Sequence, residues 1–90
     1  MIFYKYVFKE GVQITVDPME YSDTVVLADI DIATSQPAIW VCHNKNPYGN
    51  YASGGRKFRL IMTGEPFNGK PVGSFVWRDT GLVVHIVEIT

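Results

Sequence analysis

The residues with the most suggestive spacing for chemistry in this 90-residue chain fall between Asn44 and Lys57. The run Tyr48-Gly49-Asn50-Tyr51-Ala52-Ser53-Gly54-Gly55-Arg56-Lys57 combines two aromatics, small residues and the one adjacent pair of cations in the sequence. Glycines let backbone N–H groups turn toward an anion, and a guanidinium can clamp a phosphate bidentately. Tyrosine rings offer faces on which a base can stack. Tyr48, Tyr51, Arg56 and Lys57 are therefore the candidate ligand-binding set, with Arg56 making the phosphate contact and Lys57 supporting the local potential. On that reading Arg56→Ala weakens nucleotide binding and leaves thermal stability nearly unchanged. The stretch has neither the glycine spacing nor the following helix of a dinucleotide fingerprint or a phosphate-binding loop. A ligand-free connecting loop accounts for the same residues.

Other reactive side chains read as structure first. Cys42 and His43 are neighbours on a strand, so they point to opposite faces and cannot act on each other as nucleophile and base. Cys42 shares a face with Trp40 and reads as a small buried hydrophobe; His43, opening the long loop, reads as a surface residue with ligand contact as the alternative. His85, between Val83 and Val87, reads as a histidine hydrogen-bonded across the sheet. A role as general base would place it in a cleft beside a carboxylate such as Glu65 or Glu88. Asp29 and Asp31 share one strand face and read as a solvated pair rather than a cation site, as do Asp17, Glu20 and Asp23 around a turn. Two histidines on distant strands do not make a zinc site. No catalytic set, metal site or cofactor is expected, and the chain reads as a non-enzyme.

These residues must be positioned by strands, because apolar residues recur with period two and nowhere with period 3.6 across three turns. Segments 2–9, 12–16, 24–33, 38–43, 56–63, 72–78 and 82–90 alternate or run apolar. They are separated by Glu10-Gly11, Asp17-Pro18, Ser35-Gln36-Pro37, the loop 44–55, the loop 64–71 and Asp79-Thr80-Gly81. About seven strands joined by short turns imply an all-β domain over residues 1–90, a small antiparallel sandwich or a partly closed barrel. Alternation sends Val26, Ala28, Ile30 and Ile32 one way, and Phe58, Leu60 and Met62 inward. Trp40 and Phe58 are the expected core anchors. The last strand is apolar on both faces, so it is central or covered, with a partner subunit as one cover.

Composition sets the outer bounds. Ninety residues make one core, and 47% hydrophobic with 19% charged residues is a globular profile. A net charge of −1 gives no global attraction to duplex nucleic acid or an anionic membrane. A single cysteine excludes an internal disulfide framework, and no apolar run reaches the length needed to span a bilayer as a helix. With no cleavable pattern in the first residues, the expected location is the cytoplasm.

Taken in order, Tyr4-Lys5-Tyr6, Pro37-Ala38-Ile39-Trp40, Arg56-Lys57-Phe58, Thr63-Gly64-Glu65-Pro66, Val72-Gly73-Ser74-Phe75 and Val84-His85-Ile86-Val87-Glu88 span nearly the whole chain. In these elements it resembles a family of small uncharacterised bacteriophage and bacterial proteins. It departs from them in a central loop richer in Gly and Tyr. The resemblance brings no catalytic residues; it implies a small phage-borne accessory protein in the host cytoplasm. Three functions follow as expectations. The first is a counter-defence sponge that holds a phosphate-bearing nucleotide signal at a subunit interface of a homo-oligomer. The second is a protein inhibitor that docks on a host defence enzyme, and the third is a nucleotide-acting enzyme using His85 or His43.

Overall fold

A computed structural model describes residues 1–89, and all its regular structure is β. The strands are β1 (Ile2–Val7), β2 (Gln13–Val16), β3 (Thr24–Asp31), β4 (Gln36–His43), β5 (Arg56–Met62), β6 (Gly69–Trp77) and β7 (Leu82–Ile89). They form two antiparallel sheets, one of three strands in the order β1-β4-β3 and one of four in the order β2-β5-β7-β6. The sheets are not closed into a barrel, so of the two expected architectures the chain adopts the sandwich. Its shortest dimension is 19 Å, about the thickness of two packed sheets, which leaves no room for an interior chamber among the described residues.

Between the sheets lies one cluster that includes Phe8, Val16, Ile39, Val41, Phe58 and Ile86. Burying a side chain such as Phe58 completely contributes roughly 1.5–3 kcal/mol. The expectation for Trp40 fails. Pro37, Ile39, Val41 and His43 form the inward row of β4, while Trp40 and Cys42 are half-buried on the outer face. Both faces of this strand are apolar, so hydrophobicity alone could not choose between them. β4 is central, and its inner row meets the opposite sheet.

In β3 a bulge between Val25 and Leu27 shifts the alternation. Val25, Ala28 and Ile30 pack on the core, Val26 is exposed, and Ile32 stands 95% exposed in the turn after the strand. On β5, Phe58 and Leu60 face inward as expected, but Met62 is exposed and Ile61 is buried on the outer face. Ile61 and Val87 line one side of a surface cleft whose other wall is Pro66, Phe67 and Asn68. That loop is why β7 can be apolar on both faces: the strand is central and part of its outer face is covered from within the chain. β6 begins three residues earlier than its apolar run, taking in Pro71, which an edge strand tolerates. Thr90, assigned to the last strand from sequence, lies outside the described residues.

Candidate functional site

The long segment from Asn44 to Gly55 is fastened rather than free. Tyr21 N donates to Asn50 O at 2.9 Å and Ala52 N to Met19 O at 3.0 Å, so the segment pairs with the crossover between β2 and β3. Gly54 and Gly55 both take positive φ, 75° and 82°, as a turn built on two glycines requires. Tyr48, at 94% exposure, projects into solvent, and the Tyr51 hydroxyl reaches Asn46 O at 3.4 Å. Lys57 stands opposite Thr15 and Arg56 opposite Val16, so the adjacent cations leave β5 on opposite faces. A shallow cleft of about 330 Å³ is lined by Gly54, Gly55, Arg56 and Lys57, but not by Tyr48 or Tyr51. The four residues singled out from the sequence are therefore not brought together as one set.

Arg56 holds the fold together. Its Nε donates to Glu88 Oε2 and its Nη2 to Glu88 Oε1, both at 2.7 Å, a bidentate ion pair across neighbouring strands. Its Nη1 donates to the carbonyls of Glu20 and Asp23, each at 2.8 Å. Four of the five guanidinium N–H groups are thus engaged within the chain, leaving no fork for a phosphate. The Glu88 hydrogen bonds raise the Arg56 pKa above its ordinary value against the opposing effect of burial.

The same crossover is gripped from the other sheet. Asp23 and His43 are both buried, with His43 Nδ1 2.8 Å from Asp23 Oδ2 and Nε2 2.7 Å from the Tyr6 hydroxyl. Asp23 also accepts from Glu20 N at 3.0 Å and Asn44 N at 2.9 Å. Burial alone would raise the Asp23 carboxyl, but these backbone donors and His43 hold it below the usual carboxylate range. Burial, then the neighbouring Tyr4 and the Asp23 charge, push the Tyr6 phenol up, so it keeps its proton. Asp–His–hydroxyl is the order of a nucleophilic triad. Here, however, the hydroxyl is a phenol made less acidic, and the histidine between it and the carboxylate is only 3% exposed. The chain of bonds ties β1 to the crossover.

Sequence reasoning took Glu20 and Asp23 for solvated turn residues and His43 for a surface residue; all three are buried. The available signal was parity: His43 continues the inward row of Ile39 and Val41. His85 is hydrogen-bonded across its sheet, to Ser74 Oγ at 2.7 Å and Thr63 Oγ1 at 2.9 Å. Neither Glu65, beside Arg59 at 3.8 Å, nor Glu88 is its partner.

A different surface stands out. On the outer face of the three-stranded sheet, register places Phe3 beside Cys42, and Trp40 between Lys5 and Leu27. Phe3 is 68% and Leu27 49% exposed. Cys42 Sγ lies 3.8 Å from Met1 Sδ. Asp31, expected on a solvated face, is buried: it accepts from Lys5 Nζ at 3.1 Å and Thr34 Oγ1 at 2.8 Å. The Lys5 side chain therefore leans across β4, away from the sheet edge. Asp29 is exposed and caps Ile30 N at 2.7 Å.

Fold and surface together define a small antiparallel β-sandwich with an apolar patch on one outer face and a polar junction locking its crossover. Comparison with protein-family models, curated proteins and solved structures found no match to the chain.

Proposed function

We propose that this chain is a non-catalytic binding protein that docks on another protein through the outer face of its three-stranded sheet. The observation that carries the reading is the make-up of that face. Phe3, Leu27, Trp40 and Cys42 adjoin one another, and Lys5 and Asp31 within it are paired to each other. Contiguous exposed apolar surface on a soluble domain marks an interaction site, and aromatic side chains supply most of the energy at such sites. Because the central charges are mutually neutralised, the matching surface is apolar and uncharged at its centre. In the phage context implied by the resemblance, the partner is a host defence enzyme and the outcome is inhibition. Sequestration of a nucleotide is the alternative, but it relied on Arg56, whose donors are held by Glu88 and two carbonyls. An enzymatic reading would need a carboxylate at His85, where Ser74 and Thr63 stand instead, or an accessible His43, which pairs with Asp23 but is only 3% exposed.

The test is affinity capture from host cells, identification of the partner, and reconstitution of the complex from purified proteins. Leu27→Asp should weaken that complex at least tenfold, because it places a charge in a desolvated contact, while circular dichroism stays unchanged. Equal binding by the Leu27 variant would overturn the reading.

A further inference from the structure

Two open sheets have four edges, and three of them carry a feature that discourages pairing with another chain. β2 is four residues long; β3 is bulged at Val26; β6 contains Pro71 and a second bulge between Pro71 and Gly73. β6 of the other sheet also packs closely on β3, since a Cβ on Gly73 would lie only 2.7 Å from the Ala28 Cβ. β1 differs. It runs for six residues in unbroken register with β4, and contains no proline, glycine or bulge. Its one charge, Lys5, is drawn across the sheet to Asp31. Ile2, Phe3 and Tyr4 are all exposed there.

From this asymmetry we infer that β1 is an interface strand and that its partner is β1 of a second copy, paired antiparallel about a two-fold axis at Tyr4. The sequence of the strand selects the register. Keeping both outer faces on one side pairs residues of equal parity. Centring on Lys5 would set the two lysines directly opposite, so that neither could turn from Asp31 toward the seam without meeting a like charge. Centring on Phe3 or Tyr6 leaves several residues of the strand unpaired. Centring on Tyr4 sets Phe3 against Lys5 of the second copy and Met1 against its Val7 on the outer face. On the inner face Ile2 meets the second copy's Tyr6, and the two Tyr4 side chains meet each other. Every such pair is apolar, aromatic or an aromatic ring against a lysine stem, with Lys5 Nζ held at Asp31 and Lys45 Nζ over the Tyr4 ring of its own chain. The product is one six-stranded sheet, β3-β4-β1 continuing into the same strands reversed, whose outer faces form a single apolar surface.

Phe3 belongs to the proposed docking face as well, but the dimer is tested on the pure protein and docking through Leu27 of β3, so failure of one is distinguishable from failure of the other. Sedimentation velocity over a series reaching roughly 200 μM, the regime for a small edge-strand interface, should show a monomer–dimer equilibrium. Phe3→Lys, which puts a second lysine opposite Lys5 of the other copy on each side of the axis, should weaken the dimer roughly tenfold, whereas Phe3→Glu, toward which Lys5 can turn from Asp31, should retain it. In a Cys42→Ser background, Tyr4→Cys should form a covalent dimer on mild oxidation, since Cα atoms directly opposed across an antiparallel pair lie about 4.5–5.5 Å apart, within disulfide reach. Lys5→Cys should not, because its copies would be offset by two residues. A monomer throughout the series, equal effects of the two Phe3 substitutions, or cross-linking through position 5 rather than 4 would each overturn the inference.

Discussion

Removing the Arg56 side chain is expected to cost stability, the reverse of what its place beside a Gly-rich loop suggests. In Arg56→Ala the Glu88 carboxylate, one-fifth exposed, loses both charge-assisted bonds, and the Glu20 and Asp23 carbonyls lose their donor. Truncating one partner of a fully buried pair costs about 3–5 kcal/mol, and partial exposure of this pair lowers the figure to about 3 kcal/mol. For a domain of this size that corresponds to a Tm drop of roughly 12–24 °C. Arg56→Lys keeps the charge but not the fork, and should lose about half as much. Arg56→Met with Glu88→Leu removes the orphaned carboxylate and leaves only the carbonyls without a donor, so it should recover part of the loss. Urea titration at neutral pH, with circular dichroism as the signal, ranks the four proteins. An Arg56→Ala protein melting within about 4 °C of wild type would refute the junction as a source of stability.

Two further outcomes follow from the same geometry. Asp23 and Asp31 are both held below their ordinary pKa, Asp31 chiefly by the Thr34 and Lys5 hydrogen bonds, so the unfolded chain takes up protons at higher pH than the native one. Their contribution is then complete above about pH 5 and lost as pH falls through about 4 and below; an unchanged Tm down to about pH 2.5 would contradict this. Phe58→Ala should cost about 3–5 kcal/mol and Trp40→Ala, half-buried on the outer face, only about 1–2 kcal/mol; equilibrium unfolding giving the opposite ranking would reverse the assignment of the β4 faces.

Period-two alternation made the strands legible because each strand separates a wet face from a dry one, and the seven segments fall where turn residues divide the chain. Facing was harder. Alternation cannot orient a strand such as β4 whose two rows are both apolar, and it miscounts after the bulge at Val26. The polar junction was less legible still. Arg56, Glu88, Asp23 and His43 come from four separate stretches, and their pairing depends on how the sheets stack, which no local pattern encodes. A glycine-rich turn followed by two cations looks the same in sequence whether the arginine faces solvent or a glutamate on the neighbouring strand.

The junction also bears on how the sequence can change over time. Asp23 touches His43 with its carboxylate and Arg56 with its carbonyl, and Arg56 in turn holds Glu88. A change at any one of these positions leaves a buried polar group on another without its partner. Substitutions here are therefore strongly non-additive, and tolerated paths run through paired replacements. Among chains sharing this sandwich, positions 56 and 88 should vary together, as should 23 and 43, while the exposed outer face around Leu27 is free to diverge one residue at a time. The scaffold is inherited as a block, and the surface that meets a partner can be retuned on top of it.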